Sequence, residues 1–298
     1  MELRQLESFR EVVRQGSFTA AARKLHMTQP AVSLHIKALE KYLKARLLDR
    51  DSKGVRVTAP GRVLLATADA VLGALDEAER RIAEIEAPER GTVRLACGDT
   101  VAMGLLPPVL VEFGRAFPYA ELQIANKASV GVIEQVLARE VDLGIVTRPA
   151  WLDPALQART LHIEHFRLAL PKGHRLARKR NLTLGDLSDE PAVFLSPDTE
   201  TRKLVERGLS KERVRLRVVL ESGNLEVVKH YVRQGAGLSI LPDLALVGDS
   251  AAGLVLRDLP STFPQRRVAL VRHKDSTASP LVKALLRIVA EHFKALES

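Results

Sequence analysis

Residues 16–44, GSFTAAARKLHMTQPAVSLHIKALEKYLK, predict two short helices joined by a tight turn. Gly16 ends the helix that precedes them, because glycine readily adopts a positive φ, and Ser17 can cap the next helix. Thr28 is the candidate N-cap of the second helix, and Pro30 fits its first turn because the missing N–H has no helical partner there. This arrangement is typical of a helix-turn-helix, which lays its second helix in the major groove of DNA.

The second of these helices has an apolar face and a polar, basic face. Its inward stripe is predicted to contain Val32, Ile36, Leu39 and Leu43, spaced 4, 3 and 4 residues apart. The outward face is either an ordinary solvated surface or a surface that reads DNA. The predicted DNA contacts on it are Thr28, Gln29, Pro30, Ser33, Leu34 and Lys37. Leu34 is apolar, and it either touches a thymine methyl group or packs beneath the hairpin that follows.

Elements on either side extend the helix pair into a larger DNA-binding module. Residues 3–15 predict a helix that buries Leu6, Phe9 and Val13 in one stripe. Residues 45–61, ARLLDRDSKGVRVTAPG, predict two short strands around a turn, which is the wing of a winged helix. The candidate contacts of this wing with phosphate or the minor groove are Arg50, Lys53 and Arg56.

The basic residues are concentrated in this N-terminal module. Residues 1–62 contain 13 Lys and Arg against 6 Asp and Glu, whereas the rest of the chain contains 32 against 30. Electrostatic binding to phosphate requires such a local excess of positive charge, and it accounts for most of the net charge of +9. Double-stranded DNA is therefore the predicted macromolecular partner.

Residues 60–85 predict one long helix with a repeating apolar seam. The members of the seam alternate by four and three residues, which is the pattern of a coiled coil. The predicted dimerisation residues are Leu64, Ala68, Val71, Leu75, Ala78, Ile82 and Ile85. The alternative is a long helix that packs on its own domain. Residues 87–91, APERG, are predicted to end the helix and to act as a hinge.

Residues 92–298 alternate strand-like and helix-like segments, which predicts an α/β fold with parallel sheets. Ligands in such folds bind at the carboxyl ends of strands, beside helix N-termini. The segment has no P-loop, no nucleophile elbow and no complete dinucleotide-binding motif, and the histidines show no metal-ligand spacing. We therefore expect no metal, no cofactor and no catalytic site. Cys97, the single cysteine, is predicted to be a small core residue, with a redox sensor as the alternative.

Three segments of the chain resemble the LysR-type transcriptional regulators. They are residues 18–43, FTAAARKLHMTQPAVSLHIKALEKYL, residues 46–61, RLLDRDSKGVRVTAPG, and residues 221–242, ESGNLEVVKHYVRQGAGLSILP. The resemblance covers the full length of the chain. It implies a winged helix-turn-helix at 1–58, a linker or dimerisation helix at 59–88, and an effector-binding domain of periplasmic-binding-protein type at 89–298. At His35 the chain departs from the family pattern, which often has glutamine there.

The resemblance also implies where a small-molecule effector binds. The effector-binding domain would divide into lobe one, about 91–163 and 269–298, and lobe two, about 164–268, with crossings near His165 and Gln265. The family's effector contacts carry over to Thr100, Ser129, Ser196, Thr199 and Asn224. Each side chain can donate a hydrogen bond beside helix N–H groups, which favours a carboxylate or another oxyanion. The alternative for each is a helix cap without a ligand.

Together these features predict a cytoplasmic transcription factor that binds a dyad operator as a homodimer or homotetramer and responds to a small molecule. No segment approaches a membrane span, and the N-terminus lacks the apolar core of a signal peptide. RNA polymerase is a further partner that the family role implies. The alternatives are a cytoplasmic small-molecule receptor and an architectural DNA-binding protein without a ligand. Effector, operator, and the choice between activation and repression stay open.

Overall fold

A computed structural model of the chain describes residues 1–51, 54–86 and 90–296. The chain forms two units, one comprising Met1–Glu86 with Leu137–Glu140 and the other Ala87–Val136 with Val141–Ser298. Lys53 of the predicted wing and residues 87–89 of the predicted hinge lie outside the described residues, and the side chains of Arg50 and Ile85 are not described either.

Three helices open the N-terminal unit: α1 (Leu3–Gln15), α2 (Phe18–Lys24) and α3 (Gln29–Leu43). Their ends follow the local signals. Gly16 adopts a φ of +60° after α1, and the Ser17 hydroxyl accepts a hydrogen bond from the Ala20 N–H at 3.3 Å. The Thr28 hydroxyl caps α3 in the same way, accepting from the Ala31 N–H at 3.4 Å. The predicted helix-turn-helix is therefore confirmed.

One stripe of α1 and one stripe of α3 build the core of this unit. The buried members of the two stripes are Leu6, Phe9, Val12, Val32, Ile36 and Leu39. Two predictions are wrong in detail. Val13 is only half-buried, because Val12 completes the stripe of α1. Leu43 is 39% exposed, because it lies at the last position of α3.

The wing is an antiparallel hairpin of β1 (Leu48–Asp51) and β2 (Gly54–Val57). Glu40 Oε1 on α3 accepts hydrogen bonds from the N–H groups of Leu47 and Leu48, at 2.9 and 3.4 Å. The Thr58 hydroxyl donates to the Leu47 carbonyl at 3.0 Å and accepts from the Gly61 N–H at 3.1 Å. These bonds tie the hairpin to α3 on one side and to the following helix on the other.

Helix α4 (Ala59–Glu86) is the predicted long helix, but its apolar seam is not one continuous surface. Leu64 and Ala68 lie in the core of the N-terminal unit together with Leu72, because the first turns of α4 pack against α1. The prediction that Leu64 and Ala68 form a dimer contact is therefore wrong. The exposed members of the seam are Val71, Leu75, Ala78 and Ile82.

The second unit has the predicted α/β class. Its elements follow in the order β3 (Thr92–Cys97), α5 (Asp99–Gly104), α6 (Leu106–Ala116), β4 (Glu121–Asn126), α7 (Ser129–Leu137), β5 (Leu143–Thr147), β6 (Leu156–Glu164), β7 (Phe166–Pro171), β8 (Pro191–Leu195), α8 (Glu200–Lys211), β9 (Arg217–Ser222), α9 (Leu225–Arg233), β10 (Ser239–Pro242), β11 (Leu254–Asp258), β12 (Arg266–His273) and α10 (Pro280–Leu296). The sequence did not predict β7 and β11 as separate strands. Strand β7 begins only one residue after β6 ends, so no turn signal separates the two in the sequence.

The strands fall into two groups. In the first group β4, β3, β5, β12 and β6 form a five-stranded sheet in that order. Strand β3 is parallel to β4 and β5, whereas β12 is antiparallel to β5 and β6. In the second group β10, β7 and β11 form an antiparallel sheet, and β8 pairs in parallel with β9. The expectation of parallel sheets is therefore only partly correct, because the strand that re-enters the first sheet runs in the opposite direction.

The chain passes between these two groups of strands twice. Strand β6 ends at Glu164 and β7 begins at Phe166, so the first crossing is His165. The return lies between Asp258, the end of β11, and Arg266, the start of β12. The second part of lobe one was predicted to begin at about residue 269. Strand β12, which belongs to the first group, already begins at Arg266.

Cys97 lies at the end of β3 with no exposed surface, as predicted for a core residue. Burial raises the pKa of its thiol to about 12, and the nearby Asp99 acts in the same direction. Within the described parts of the chain, no helix is long and apolar enough to cross a membrane, and no three His, Cys, Asp or Glu side chains are grouped to hold a metal ion.

Candidate functional site

Most of the predicted DNA contacts lie at the surface of the N-terminal unit. The exposed members are Thr28, Gln29, Pro30, Leu34, Lys37 and Arg56. Ser33 is half-buried. Leu34 is 65% exposed, so it does not pack beneath the wing. An apolar side chain at the centre of an exposed helix face is a candidate for a contact with a base methyl group.

His35 has a positioning role that sequence reasoning missed. Its Nδ1 atom lies 2.7 Å from the hydroxyl oxygen of Ser8, which is fully buried on α1. This bond joins α1 to the middle of α3 and restrains the rotation of α3 about its axis. The rotation decides which side chains face outward, so Ser8 and His35 help to orient the exposed face.

A cavity of about 250 Å³ lies between the two groups of strands in the second unit. It is lined by the first turns of α5, α7 and α8 and by the ends of β5 and β8. Helix N-termini present unpaired N–H groups and a partial positive charge, so they favour an anion. The geometry is therefore that of a small binding site at the carboxyl ends of strands.

The cavity brings together three of the five predicted effector contacts. Thr100, Ser129 and Thr199 line it, whereas Ser196 and Asn224 do not. Asn224 instead caps α9, and its Nδ2 group donates to Asp99 Oδ2 at 3.0 Å. The prediction for these two residues was wrong by one position along the chain. The residues that line the cavity are their neighbours, Leu195 beside Ser196 and Gly223 and Leu225 beside Asn224.

The hydroxyl groups of Ser129 and Thr199 are already hydrogen-bonded to the backbone. Ser129 Oγ accepts a hydrogen bond from the Thr147 N–H at 3.1 Å. Thr199 Oγ1 accepts from the Arg202 N–H at 3.2 Å and donates to the Ser196 carbonyl at 2.9 Å, which makes it the N-cap of α8. Thr199 is therefore a helix cap, its role as an effector contact stays a prediction, and a ligand would have to share these groups.

Arg266, at the start of β12, is the residue of the cavity that sequence reasoning missed. It is 3% exposed and lines the cavity. Its Nε group donates to Thr147 Oγ1 at 2.8 Å and its Nη2 group to Thr100 Oγ1 at 3.0 Å. A signal was present in the pair Arg266–Arg267, because alternation along a strand must turn one of two neighbours inward.

Glu164, at the end of β6, provides the opposite charge. Its Oε1 lies 3.0 Å from Arg266 Nη1, and its Oε2 accepts a hydrogen bond from the Leu244 N–H at 2.7 Å. Burial raises the pKa of Glu164, while Arg266 and the Leu244 N–H act to lower it. Burial likewise lowers the pKa of Arg266, and Glu164 opposes that shift. The two charges therefore depend on each other.

Comparison with known families identifies both units. Residues 3–62 match the model of the bacterial regulatory helix-turn-helix protein, lysR family, and residues 86–294 match the model of the LysR substrate binding domain. The chain belongs to the LysR family. It is a DNA-binding transcriptional regulator of LysR type with an effector-binding domain, and its sequence resemblance to that family is confirmed.

Individual relatives agree with this assignment of the regulator. The HTH-type transcriptional regulator YofA of Bacillus subtilis is 30% identical over 276 residues, which cover 92% of this chain and 93% of YofA. A full-length OxyR variant from Pseudomonas aeruginosa has the same fold, with a TM-score of 0.70 at 23% identity, covering 99% of this chain and 95% of OxyR. Full-length CbnR in complex with its target DNA has a TM-score of 0.66 at 22% identity, and the match covers 98% of this chain and 100% of CbnR.

Proposed function

We propose that this regulator responds to a small anionic effector that binds in the cavity beside Arg266. The observation that carries the proposal is the buried guanidinium group, which uses two of its five N–H groups in hydrogen bonds to hydroxyl groups. Its Nη1 atom makes no hydrogen bond among the described residues, although Glu164 is near. A buried cation with unused donors is suited to a carboxylate or another oxyanion.

Size and charge narrow the class of ligand further. A cavity of about 250 Å³ lies just below the usual range for ligand sites, about 300–1,000 Å³, so the effector is a small molecule such as a short carboxylic acid. Asp99 and Glu200 also line the cavity, but Asn224 and Lys203 already donate to their carboxylates. Lys127 is a second cation of the lining, but it is exposed, whereas Arg266 is buried, so the anionic group of the effector belongs at the Arg266 end.

A thermal-shift panel tests the proposed ligand class. The anions are acetate, oxalate, succinate, citrate and sulfate, with sodium chloride at matched ionic strength and acetamide as the uncharged control. At least one anion should stabilise the protein by about 2.7 kcal/mol when present at a hundredfold excess over its Kd. If none of them exceeds the chloride control, the effector is not a small anion of this kind.

On the DNA side we propose that the regulator binds a dyad operator as a homodimer or a homotetramer. Val71, Leu75, Ala78 and Ile82 leave an apolar strip exposed on α4, which a second copy of the helix would cover. The proposed DNA contacts remain Thr28, Gln29, Pro30, Ser33, Leu34 and Lys37 of the helix with Arg50, Lys53 and Arg56 of the wing. We infer a cytoplasmic protein that acts by binding rather than catalysis, with RNA polymerase as a further partner.

Three substitutions on the exposed face of α3 should separate the kinds of DNA contact. Lys37→Ala should weaken binding to all sequences about equally and lower the salt dependence, because a phosphate contact carries no base information. Gln29→Ala should relax base preference at one position, at a cost of about 1–3 kcal/mol of binding free energy on the best site.

Leu34→Ala should lower the affinity for an operator with thymine at the contacted base more than the affinity for the same operator with uracil there, because uracil lacks the methyl group. Fluorescence anisotropy measures both affinities. Equal losses on both operators would exclude the thymine contact.

A further inference from the structure

Glu164 is a buried acid that pairs with Arg266 of the cavity and directly precedes the first crossing of the chain. It is 2% exposed, lies directly before His165, and accepts one hydrogen bond at Oε2 from the Leu244 N–H. Its Oε1 atom lies 3.0 Å from Arg266 Nη1 but has no hydrogen-bond partner in the described parts of the chain. The carboxylate is therefore held mainly by the charge of Arg266.

The groups that face Glu164 offer little additional positive charge. Arg266 on β12 is its ion-pair partner, and the Leu244 N–H belongs to the short turn Asp243–Leu246. Asp243 in that turn repels Glu164, and Arg167 on β7 is 3.2 Å from Asp243 rather than from Glu164. Lys127, the other cation of the cavity lining, is exposed. A second anion near Arg266 would consequently leave two negative charges against one buried positive charge.

We propose that binding of an anion in the cavity is coupled to the uptake of one proton from solvent by Glu164. This inference rests on the proposed function, because it requires an anion beside Arg266. Two negative groups that share a poorly solvated site cannot both stay ionised without a large Coulombic cost, so the weaker acid takes up a proton. Burial has already raised the pKa of Glu164, which makes it the group that responds.

The coupling gives the effector site a defined pH dependence. Affinity for the anion should increase by up to about tenfold for each unit of pH lowered, over the range in which Glu164 takes up the proton. Glu164→Gln should bind the anion more tightly than the natural protein at high pH and should show a flat pH profile. A merely structural role for Glu164 predicts weaker binding or no change in Glu164→Gln, with the pH profile retained.

Calorimetric titration of the full-length protein with oxalate and with sulfate tests the inference. Both anions are ionised throughout the neutral range, so any proton taken up binds to the protein. Titrations in Tris, imidazole and bis-Tris, which differ in ionisation enthalpy and are not themselves anions, give the number of protons. We expect an uptake of up to one proton for the natural chain and for the control Glu206→Gln, whose carboxyl group is on the surface of α8. We expect none for Glu164→Gln.

The outcomes separate this inference from the proposed function. Binding of either anion without proton uptake by the natural chain overturns the coupling and leaves the anion site intact. Absence of binding of oxalate and sulfate to both the natural chain and Glu164→Gln at low and high pH overturns the coupling, and together with a negative thermal-shift panel it overturns the anion site as well. The proton count in the natural chain needs no substitution, so the test holds even if Glu164→Gln does not fold.

Discussion

Arg266→Met should lower the affinity of the cavity for small anions by roughly a hundredfold. Hydrogen bonds to a charged group contribute up to about 3 kcal/mol, which corresponds to that change in Kd. The neighbouring Arg267→Met is the matched control, because Arg267 is exposed on the other side of β12. It removes the same charge from the same strand and should leave the anion-induced thermal shift unchanged.

The same substitution should also destabilise the second unit, by about 3–5 kcal/mol, because it leaves the Glu164 carboxylate buried without its partner. Loss of Arg266 removes the main influence that lowers the pKa of Glu164, so this pKa rises further above its ordinary value of 4.5. An acid with a raised pKa in the folded state stabilises at low pH, and that stabilisation is lost as pH rises through the folded-state pKa. The loss of unfolding free energy in Arg266→Met, relative to the natural protein, should therefore be larger at about pH 8 than at about pH 5.

Thermal or urea unfolding at both pH values measures this loss of stability. The double variant Arg266→Met with Glu164→Gln tests whether the unpaired Glu164 carboxylate causes it. The double variant should recover most of the stability, because it has no buried charge, and yet it should not bind anions. An anion-induced shift of normal size in Arg266→Met would show that the effector binds elsewhere.

Gly61→Ala should destabilise the N-terminal unit by about 3 kcal/mol or more and weaken DNA binding. A Cβ atom at Gly61 would lie 2.1 Å from the carbonyl oxygen of Leu47 and 2.8 Å from Cγ1 of Val57. The first contact is with backbone, which cannot rotate away, and the same carbonyl accepts the Thr58 hydroxyl that anchors the wing. One methyl group would therefore push α4 and the wing apart.

Gly114→Ala is the matched control for Gly61→Ala. Gly114 also lies within a helix, α6, but a Cβ atom there would meet nothing within 4 Å. The control should be stabilised by about 0.5–1 kcal/mol, because alanine loses less conformational freedom on folding. Circular dichroism melts and operator binding of both variants make the comparison. Unchanged melting and DNA binding in Gly61→Ala would mean that α4 and the wing accommodate the methyl group at no cost.

Much of the DNA-binding module could be predicted because its signals are local. Gly16, Ser17 and Thr28 act on backbone groups within a few residues of themselves, so a short window of sequence contains the whole cause. The long helix α4 could be predicted for the same reason. The partners of its apolar residues could not, since Leu64 and Ala68 contact α1 across some fifty residues of chain.

By itself the sequence determined most of the order of helices and strands, the winged helix-turn-helix with its basic surface, and the α/β class of the rest. These follow from capping, spacing and the local balance of charge. Only the tertiary structure decided that Arg266, Thr100 and Thr147 meet at one cavity and that Glu164 pairs with Arg266. They come from four separate strand and helix ends, and β12 lies between β5 and β6 only after the chain has crossed to the second group of strands and returned. Alternation along β12 indicates that one of Arg266 and Arg267 is buried, but the partners of that residue depend on long-range strand pairing, which no short window of sequence contains.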